Sequence, residues 1–208
     1  MKPEIGTGCE IHPTAIIHNG TWIGDDVYIG PYAVIGAPPQ HHTSYPMPLD
    51  GHKHYKGVSI GTGSCIREFC TVHAGIKTTT TIGRHTMLMA YTHIGHDSEI
   101  GDQVTIGSSS ILGGFTQIDN EATLGQGVVT HPWVAIGHGS MVGLNSSVIG
   151  DVLPFQKVAG SPARLIGANT YKAPEMLEWH TSRLSAEDWE MWGDLDECRR
   201  RLRKEWDK

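Results

Sequence analysis

The chain has 208 residues, enough for one domain and at most a short appendage. Only 18% of its residues are charged and 7% are aromatic, whereas 26 are Gly and 13 are His. The net charge of -6 excludes a general nucleic-acid binder, and no run of about 18 apolar residues is present to span a membrane. Low charge argues against disorder, and low aromatic content argues against a thick conventional core.

The cysteines and the first residues of the chain predict a cytoplasmic protein. Neither a C-x-x-C pair nor the regular spacing of a disulfide framework is present among Cys9, Cys65, Cys70 and Cys198. We therefore expect reduced thiols. The first ten residues lack the apolar stretch of a signal peptide, so we expect no secretion.

Aliphatic residues recur at every sixth position over most of the chain. In the longest run, all positions but Thr130 are aliphatic: Ile82, Leu88, Ile94, Ile100, Ile106, Leu112, Ile118, Leu124, Thr130, Ile136, Val142 and Val148. Two earlier runs are Ile11, Ile17, Ile23, Ile29, Ile35 and Ile60, Ile66, Val72. Neither an α-helix, with 3.6 residues per turn, nor an ordinary strand, with a period of 2.0, produces this pattern.

A six-residue period has a simple structural interpretation. Each unit is a short strand and a bend, with its aliphatic side chain directed inward and the Gly that often follows permitting the bend. Three units make one triangular coil, and successive coils pair as parallel strands about 4.8 Å apart. The sequence therefore predicts an all-β parallel β-helix over residues 1–168. The ends of such a stack need caps or partner subunits.

Two segments interrupt the period, and the C-terminal segment lacks it. Residues 37–57 hold four prolines and four histidines, and we expect them to form a loop that is either functional or a tolerated surface insertion. A shorter excursion covers residues 76–81. Residues 169–208 are predicted to form a short α-helical appendage, with one helix from Pro174 and a second opened by the capping box at residues 185–188. The basic run at 199–204 is either a solvated face or a dock for an acidic partner.

Two stretches resemble a known family of enzymes. They are Ile66-Arg-Glu-Phe-Cys-Thr-Val-His73 and Leu88-Met-Ala-Tyr-Thr-His93-Ile-Gly-His96-Asp97, and the likeness continues through Leu112-Gly113-Gly114 and Val129-Thr-His131 to Gly143. These residues are similar to the UDP-N-acetylglucosamine O-acyltransferases of lipid A biosynthesis. The resemblance implies a left-handed coil, a homotrimer, and transfer of a hydroxyacyl group from acyl carrier protein to the 3-hydroxyl of UDP-N-acetylglucosamine. It implies no cofactor besides the acyl donor.

His96 is the candidate general base. It stands two positions after the inward Ile94, so its side chain should point outward, as should that of His93. Transfer from a thioester needs a base to accept the proton of the incoming hydroxyl or amine, and an imidazole is suited to this at neutral pH. Backbone amides at the Gly113-Gly114 bend would stabilise the charge that develops on the thioester oxygen. Gly114 lies 18 residues after His96, one coil further on the same side.

The other site residues are assigned by resemblance alone. The resemblance implies that His73, His93 and His131 contact the nucleotide sugar. It places Leu144 at the far end of the acyl groove, where a bulky side chain shortens the chain that is accepted. Asp97 is a weaker candidate for orienting an imidazole, because neighbouring residues on a strand face opposite ways.

The sequence also departs from this family and leaves a second function open. Phe115 replaces a histidine, Pro132 replaces a glutamine, and residues 37–57 replace a loop that holds a sugar-binding Asp and Lys. The segment Val158-Ala-Gly-Ser-Pro-Ala-Arg164 looks more like the close of CoA-dependent hexapeptide acetyltransferases, in which Arg164 would face a CoA phosphate. The alternative is therefore an acyl-CoA- or acetyl-CoA-dependent N-acyltransferase that acts on a nucleotide-linked amino sugar.

A catalytically silent or metal-binding scaffold is the third possibility. Zinc-binding relatives with the same repeat carry two histidine ligands five residues apart on one chain. His93 and His96 are only three residues apart, so we predict no metal site.

Overall fold

Three flat sheets of short parallel strands form the sides of a triangular coil. The computed structural model describes residues 2–41 and 55–172. Its strands, numbered in chain order, succeed one another from sheet I to sheet II to sheet III and back to sheet I, except that the last two strands both belong to sheet II.

Each sheet takes one strand from each coil. Sheet I contains β1 (Glu4–Ile5), β4 (Thr21–Ile23), β7 (Val58–Ile60), β10 (Thr80–Ile82), β13 (Glu99–Ile100), β16 (Gln117–Ile118) and β19 (Ala135–Ile136). Sheet II contains β2 (Glu10–Ile11), β5 (Tyr28–Ile29), β8 (Cys65–Ile66), β11 (Met87–Leu88), β14 (Thr105–Ile106), β17 (Thr123–Leu124), β20 (Met141–Val142), β22 (Gln156–Ala159) and β23 (Arg164–Ala168). Sheet III contains β3 (Ile16–Ile17), β6 (Val34–Ala37), β9 (Thr71–His73), β12 (His93–Ile94), β15 (Ile111–Leu112), β18 (Val129–Thr130) and β21 (Ser147–Val148).

The register of these strands confirms the predicted coil. Ile82 pairs with Ile100 and Ile94 pairs with Leu112, so one turn of the uninterrupted coil takes 18 residues, or three six-residue units. The described residues form seven complete coils, and Val152, which pairs in parallel with Ile136, starts an eighth that β22 continues. The last strand, β23, runs antiparallel to β22 and forms a hairpin at this end of the prism.

The predicted aliphatic column is the core of the prism. Every member of the long run from Ile82 to Val148 is buried, including Thr130. Ile11 and Ile17 are only half-buried, because they belong to the first coil and no coil formed by the described residues lies beneath them. A second inward position, four residues after each aliphatic one, was not predicted; its buried side chains are small or β-branched, such as Ser98, Val104 and Ser110.

The glycines that follow the aliphatic residues do not act as we expected. The left-handed backbone conformation at each corner falls two residues later, for example at Asp97 and Phe115, with φ of 58° and 61°. At Gly107, instead, a Cβ atom would lie only 2.5 Å from the backbone nitrogen of Gln126 in the next coil. These glycines therefore allow successive coils to approach each other, which corrects the prediction that they permit the bend.

Both interruptions of the period leave the coil at the corner between sheets III and I. The first lies between Ala37 and Val58, and most of it, residues 42–54, is outside the described residues. The second comprises residues 74–79, not 76–81, because Thr80 and Thr81 already belong to β10. The predicted C-terminal helices lie beyond Lys172, outside the described residues, and stay a prediction. Within the described residues, no helix is long and apolar enough to cross a membrane.

Candidate active site

His96 lies at the corner between sheets III and I, directly after β12. Its ring is outside the aliphatic column but only 9% of the residue is exposed, because neighbouring aromatic rings cover it. Phe115 meets the His96 ring edge to face, with 5.1 Å between ring centroids, and His41 does so at 5.5 Å. Trp133 stacks on Phe115 at 3.7 Å. The outward histidine predicted from the sequence is thus enclosed within a single chain.

Asp97 holds the imidazole of His96 in one orientation. The Nδ1 atom of His96 is 2.7 Å from Oδ2 of Asp97. Since an ionised carboxylate only accepts hydrogen bonds, Nδ1–H is the donor and Nε2 is left with a lone pair that can accept a proton. The strand alternation that argued against this pairing does not apply, because the left-handed conformation of Asp97 turns the chain at this residue.

The carboxylate of Asp97 is itself held by the second excursion. It accepts hydrogen bonds from the backbone N–H groups of Ile76, Lys77 and Thr78 at 2.9, 2.7 and 2.7 Å. Burial by itself would raise the pKa of the Asp97 carboxyl, but the hydrogen bonds from His96 and from these amides outweigh it and lower the pKa. Asp97 is therefore ionised at neutral pH.

Gly114 lies directly beneath the His96 ring. A Cβ atom at Gly114 would be 2.8 Å from both Cε1 and Nε2 of His96, so only glycine leaves room for the imidazole. The N–H group of Gly114 donates to no acceptor among the described residues. Within residues 2–41 and 55–172, the structure thus places Nε2 of His96 next to a backbone donor that has no acceptor.

Two further histidines continue the site along sheet III. The rings of His73 and His93 meet edge to face at 4.6 Å, and Nδ1 of His93 is 2.7 Å from Oγ1 of Thr71. Burial, and then the charges of His93 and His96, lower the pKa of His73 to about 4. Burial, and then the charge of His96, also lower the pKa of His93. Both imidazoles are therefore neutral at pH 7 and can serve as uncharged hydrogen-bonding groups.

The remaining predicted residues lie at increasing distance from His96. His131 is exposed one coil beyond Gly114, with Nδ1 2.9 Å from the carbonyl oxygen of Pro132. Leu144 lies 48 residues, or two and two-thirds coils, beyond His96, at the corner between sheets II and III. Arg164 begins β23, four coils from His96, and its Nη1 donates to the carbonyl oxygen of Ala163. One chain therefore brings together His73, His93, His96 and Gly114, but not Leu144 or Arg164.

A periodic signal in the sequence marks several residues of the corner that holds His96. Asp97, Phe115 and Trp133 are spaced by 18 residues, which is one coil, so they occupy the same corner in successive coils. That spacing predicts Gly114 beside His96, and it places Phe115 there too, with Trp133 on Phe115 one coil further. His41 offered no such signal, because it belongs to the aperiodic first excursion.

The fold and this site define a class of protein, the hexapeptide-repeat acyltransferases. The family described as bacterial transferase hexapeptide (six repeats) matches residues 2–37 and 79–114. Among the described residues, no three His, Cys, Asp or Glu side chains are arranged to hold a metal ion.

Comparison with known proteins identifies the family within this class. An acyl-[acyl-carrier-protein]--UDP-N-acetylglucosamine O-acyltransferase from Bartonella henselae is 35% identical over 203 residues, covering 78% of this chain and 71% of its own. The enzyme of that name from Paraburkholderia phymatum is 34% identical over 191 residues, covering 76% of this chain and 73% of its own. The chain belongs to the family of acyl-[acyl-carrier-protein]--UDP-N-acetylglucosamine O-acyltransferases.

Solved structures of similar proteins share the whole prism. The UDP-N-acetylglucosamine acyltransferase of Campylobacter jejuni superposes with a TM-score of 0.76 at 27% identity, covering 98% of this chain and 79% of its own. That of Francisella novicida does so with a TM-score of 0.77 at 28% identity, covering 84% of this chain and 63% of its own. A coil of the opposite handedness would not superpose on these structures. The coil is therefore left-handed, as the family resemblance implies.

Proposed function

We propose that the chain transfers a hydroxyacyl group from acyl carrier protein to the 3-hydroxyl of UDP-N-acetylglucosamine. The relatives that support this proposal carry both substrates in their names. The single structural observation that carries it is the His96–Asp97 pair above the backbone of Gly114. We further propose that no cofactor is needed, because a thioester is already activated for acyl transfer.

The geometry accounts for each proton in this reaction. The sugar hydroxyl attacks the thioester carbonyl carbon while Nε2 of His96 accepts the hydroxyl proton. Asp97 stabilises the imidazolium that forms, and the N–H of Gly114 donates to the oxyanion of the tetrahedral intermediate. The C–S bond then breaks, and His96 returns the proton to the departing sulfur, which leaves as a thiol.

The neighbouring side chains suit the two substrates. The neutral imidazoles of His73 and His93, with the exposed His131, line one edge of sheet III and would bind the nucleotide sugar. The outward face of the same sheet carries exposed Ile111 and Val129 between His93 and Leu144. We propose that the acyl chain follows these side chains and ends at Leu144.

A homotrimer would complete the site. Exposed apolar side chains are concentrated on sheets II and III and on the corner between them. Sheet II carries Tyr28, Met87 and Met141, sheet III carries Ile16, Ile111 and Val129, and the corner carries Tyr32, Phe69, Tyr91 and Leu144. Beyond the first coils, sheet I instead presents Thr81, Glu99 and Gln117. Threefold symmetry with the apolar corner on the axis would cover sheet II of one chain with sheet III of the next. The acyl path would then be a groove between subunits.

The compartment follows from the same proposal. Cys9, Cys65 and Cys70 are free thiols, which fits a reducing compartment such as the cytoplasm.

The second candidate function uses a CoA donor and an amino sugar. It is favoured by the exposed position of Arg164 in the terminal hairpin, where a CoA phosphate could reach it. The basic run at 199–204, which would favour acyl carrier protein, lies outside the described residues.

Assays with matched donors and acceptors distinguish these functions. The same 3-hydroxyacyl group is offered on acyl carrier protein and on CoA, with UDP-N-acetylglucosamine or its 3-amino analogue as acceptor, and products are identified by mass spectrometry. We expect an ester formed from the protein-bound donor. A clear preference for the CoA donor and the amine would instead establish the second function.

His96 is tested in the same assay. His96→Ala should lower turnover roughly 100-fold or more, the usual contribution of a general base. The control is His85→Asn at a different corner, because Asn tolerates the left-handed conformation of His85, with φ of 52°, and should leave turnover unchanged. Near-normal turnover of His96→Ala would eliminate the mechanism.

A further inference from the structure

The second excursion, residues 74–79, makes hydrogen bonds that a mere lengthening of the chain would not explain. Between Val72 and Ile82 the aliphatic period lengthens from six residues to ten. The added residues include Ile76, Lys77 and Thr78, whose backbone N–H groups all point at the carboxylate of Asp97. A surface insertion without a function would not be expected to direct three consecutive backbone N–H groups at one buried carboxylate.

We propose that residues 74–79 and Thr80 form a positioning device for Asp97, and that Gly75 and Thr80 are positioning residues for the reaction. The proposal rests on the proposed role of His96 as general base. The device acts on His96 only through Asp97.

The hydrogen bonds of Asp97 leave its carboxylate little freedom to rotate. Oδ1 accepts from the amides of Lys77 and Thr78, and Oδ2 accepts from the amide of Ile76 and from His96. The side chain is fully buried, so no water replaces a lost partner.

The backbone of Asp97 is fixed as well. Its N–H donates to Oγ1 of Thr80 at 2.8 Å, and Thr80 is completely buried in β10. Thr80 thus ties Asp97 to the strand on which the excursion ends. With both its backbone and its carboxylate held, Asp97 can present Oδ2 to His96 in only one direction.

Gly75 allows the excursion to close. A Cβ atom at Gly75 would overlap the carbonyl oxygen of Thr78 and would also lie 3.3 Å from Oδ1 of Asp97. Any side chain at this position would therefore push the three amides away from the carboxylate.

Thr80→Val is the principal test, with Thr80→Ser as its matched control. Valine keeps the shape of threonine but cannot accept the N–H of Asp97, whereas serine can. We expect Thr80→Val to lower kcat roughly tenfold, the lower end of what displaced supporting partners cost in other sites, with little change in KM for the nucleotide sugar. Thr80→Ser should retain kcat. Gly75→Ala is the second variant and should lower kcat in the same way.

Two readouts separate positioning from general damage to the fold. In ¹⁵N spectra of the imidazoles, wild type should show His96 as the Nδ1–H tautomer, and Thr80→Val should show a mixture of tautomers. In the Asp97→Asn background, Thr80→Val should have almost no further effect on kcat, because both changes remove the same interaction.

Either of two results would overturn the proposal. One is a Thr80→Val effect on kcat that is undiminished in the Asp97→Asn background; the other is an unchanged tautomer of His96 in both Thr80→Val and Gly75→Ala. The tautomer is measured without any substrate. If wild type proved to use another donor and acceptor, a shifted tautomer would still support the positioning device while the proposed function failed.

Discussion

At the scale of single residues, His73 couples the stability of the protein to pH. Its pKa is lowered from 6.5 to about 4 in the folded chain, so between these values the unfolded chain binds more protons. The free energy of unfolding should therefore be highest above pH 6.5 and fall towards pH 4, by at most about 3 kcal/mol. Urea denaturation at a fixed protein concentration across this range measures the slope.

His73→Gln should make this dependence shallower, because glutamine does not titrate, while the contribution of His93, whose pKa is also lowered, remains. His131→Gln, which makes the same change at an exposed position, is the control variant. Equal slopes for wild type and His73→Gln would show that His73 does not carry the effect.

Leu144 should set the length of the acyl chain. It is 67% exposed in one chain, at the end of the proposed acyl path, so its side chain is available to block that path. Leu144→Gly should shift the preference towards longer acyl groups, since each further methylene in an apolar groove is worth about 0.8 kcal/mol. The relative kcat/KM values for a series of acyl donors measure this.

Leu144→Met keeps a side chain of similar size and should keep the wild-type preference. An unchanged chain-length profile in Leu144→Gly would mean that the acyl group takes another path.

The residues of the site differ in how far the sequence could reveal them. His96 and Gly114 could be paired because both occupy one corner of an 18-residue repeat. The hydrogen bond from His96 to Asp97 could not be derived, because strand alternation gives the wrong direction at a residue in the left-handed conformation. The contact with His41 depends on the path of an aperiodic loop, which no local pattern encodes.

At the scale of the repeating element, the spacing of coils depends on glycines such as Gly107. A Cβ atom there would lie 2.5 Å from backbone atoms of Gly125 and Gln126, which cannot move without shifting the next coil. Gly107→Ala should lower the free energy of unfolding by about 1–3 kcal/mol, the usual cost of overpacking. Thermal or urea denaturation checks it.

Gly150 provides the matched control for this substitution. A Cβ atom at Gly150 would have no atom within 4 Å, so Gly150→Ala should be close to neutral. Equal losses of stability in the two variants would show that contact between coils is not the cause.

The elements themselves were predictable because one period governs them. The aliphatic residue at every sixth position specifies both the strand and its inward side chain, and the strands of the described residues follow it. The second inward position was missed although it has a sequence signal of its own: the residue four places on is small or β-branched, as at Thr116, Ala122 and Val128. A search for the aliphatic residues alone could not detect it.

At the scale of the whole molecule, the apolar corner between sheets II and III should hold the proposed trimer together. Tyr91 is exposed there and stacks on Phe69, with 4.8 Å between their ring centroids. Tyr91→Asp would place three carboxylates near the threefold axis, so we expect it to dissociate the trimer into single chains and abolish activity. Light scattering measures the mass.

Gln103→Asp is the control for this experiment. Both positions have the left-handed conformation, but Gln103 lies at the corner between sheets I and II, away from the proposed axis. This variant should remain trimeric. A wild-type protein that is active as a single chain would contradict the assembly.

The 18-residue coil also restricts how such a chain can change in length during evolution. Deleting 18 residues removes one coil and returns every later strand to its own sheet, whereas deleting six moves each later strand to the next side of the prism. Other lengths are tolerated only where the chain has already left the coil, as at residues 38–57 and 74–79. His96 and Leu144 are 48 residues apart, which is two and two-thirds coils or about 13 Å along the axis, and a gain or loss of coils between them would alter that separation in steps of about 4.8 Å. The length of the proposed acyl path can therefore change during evolution in two ways: by a small step, when one side chain at its end is replaced, or by a large step, when whole coils are gained or lost.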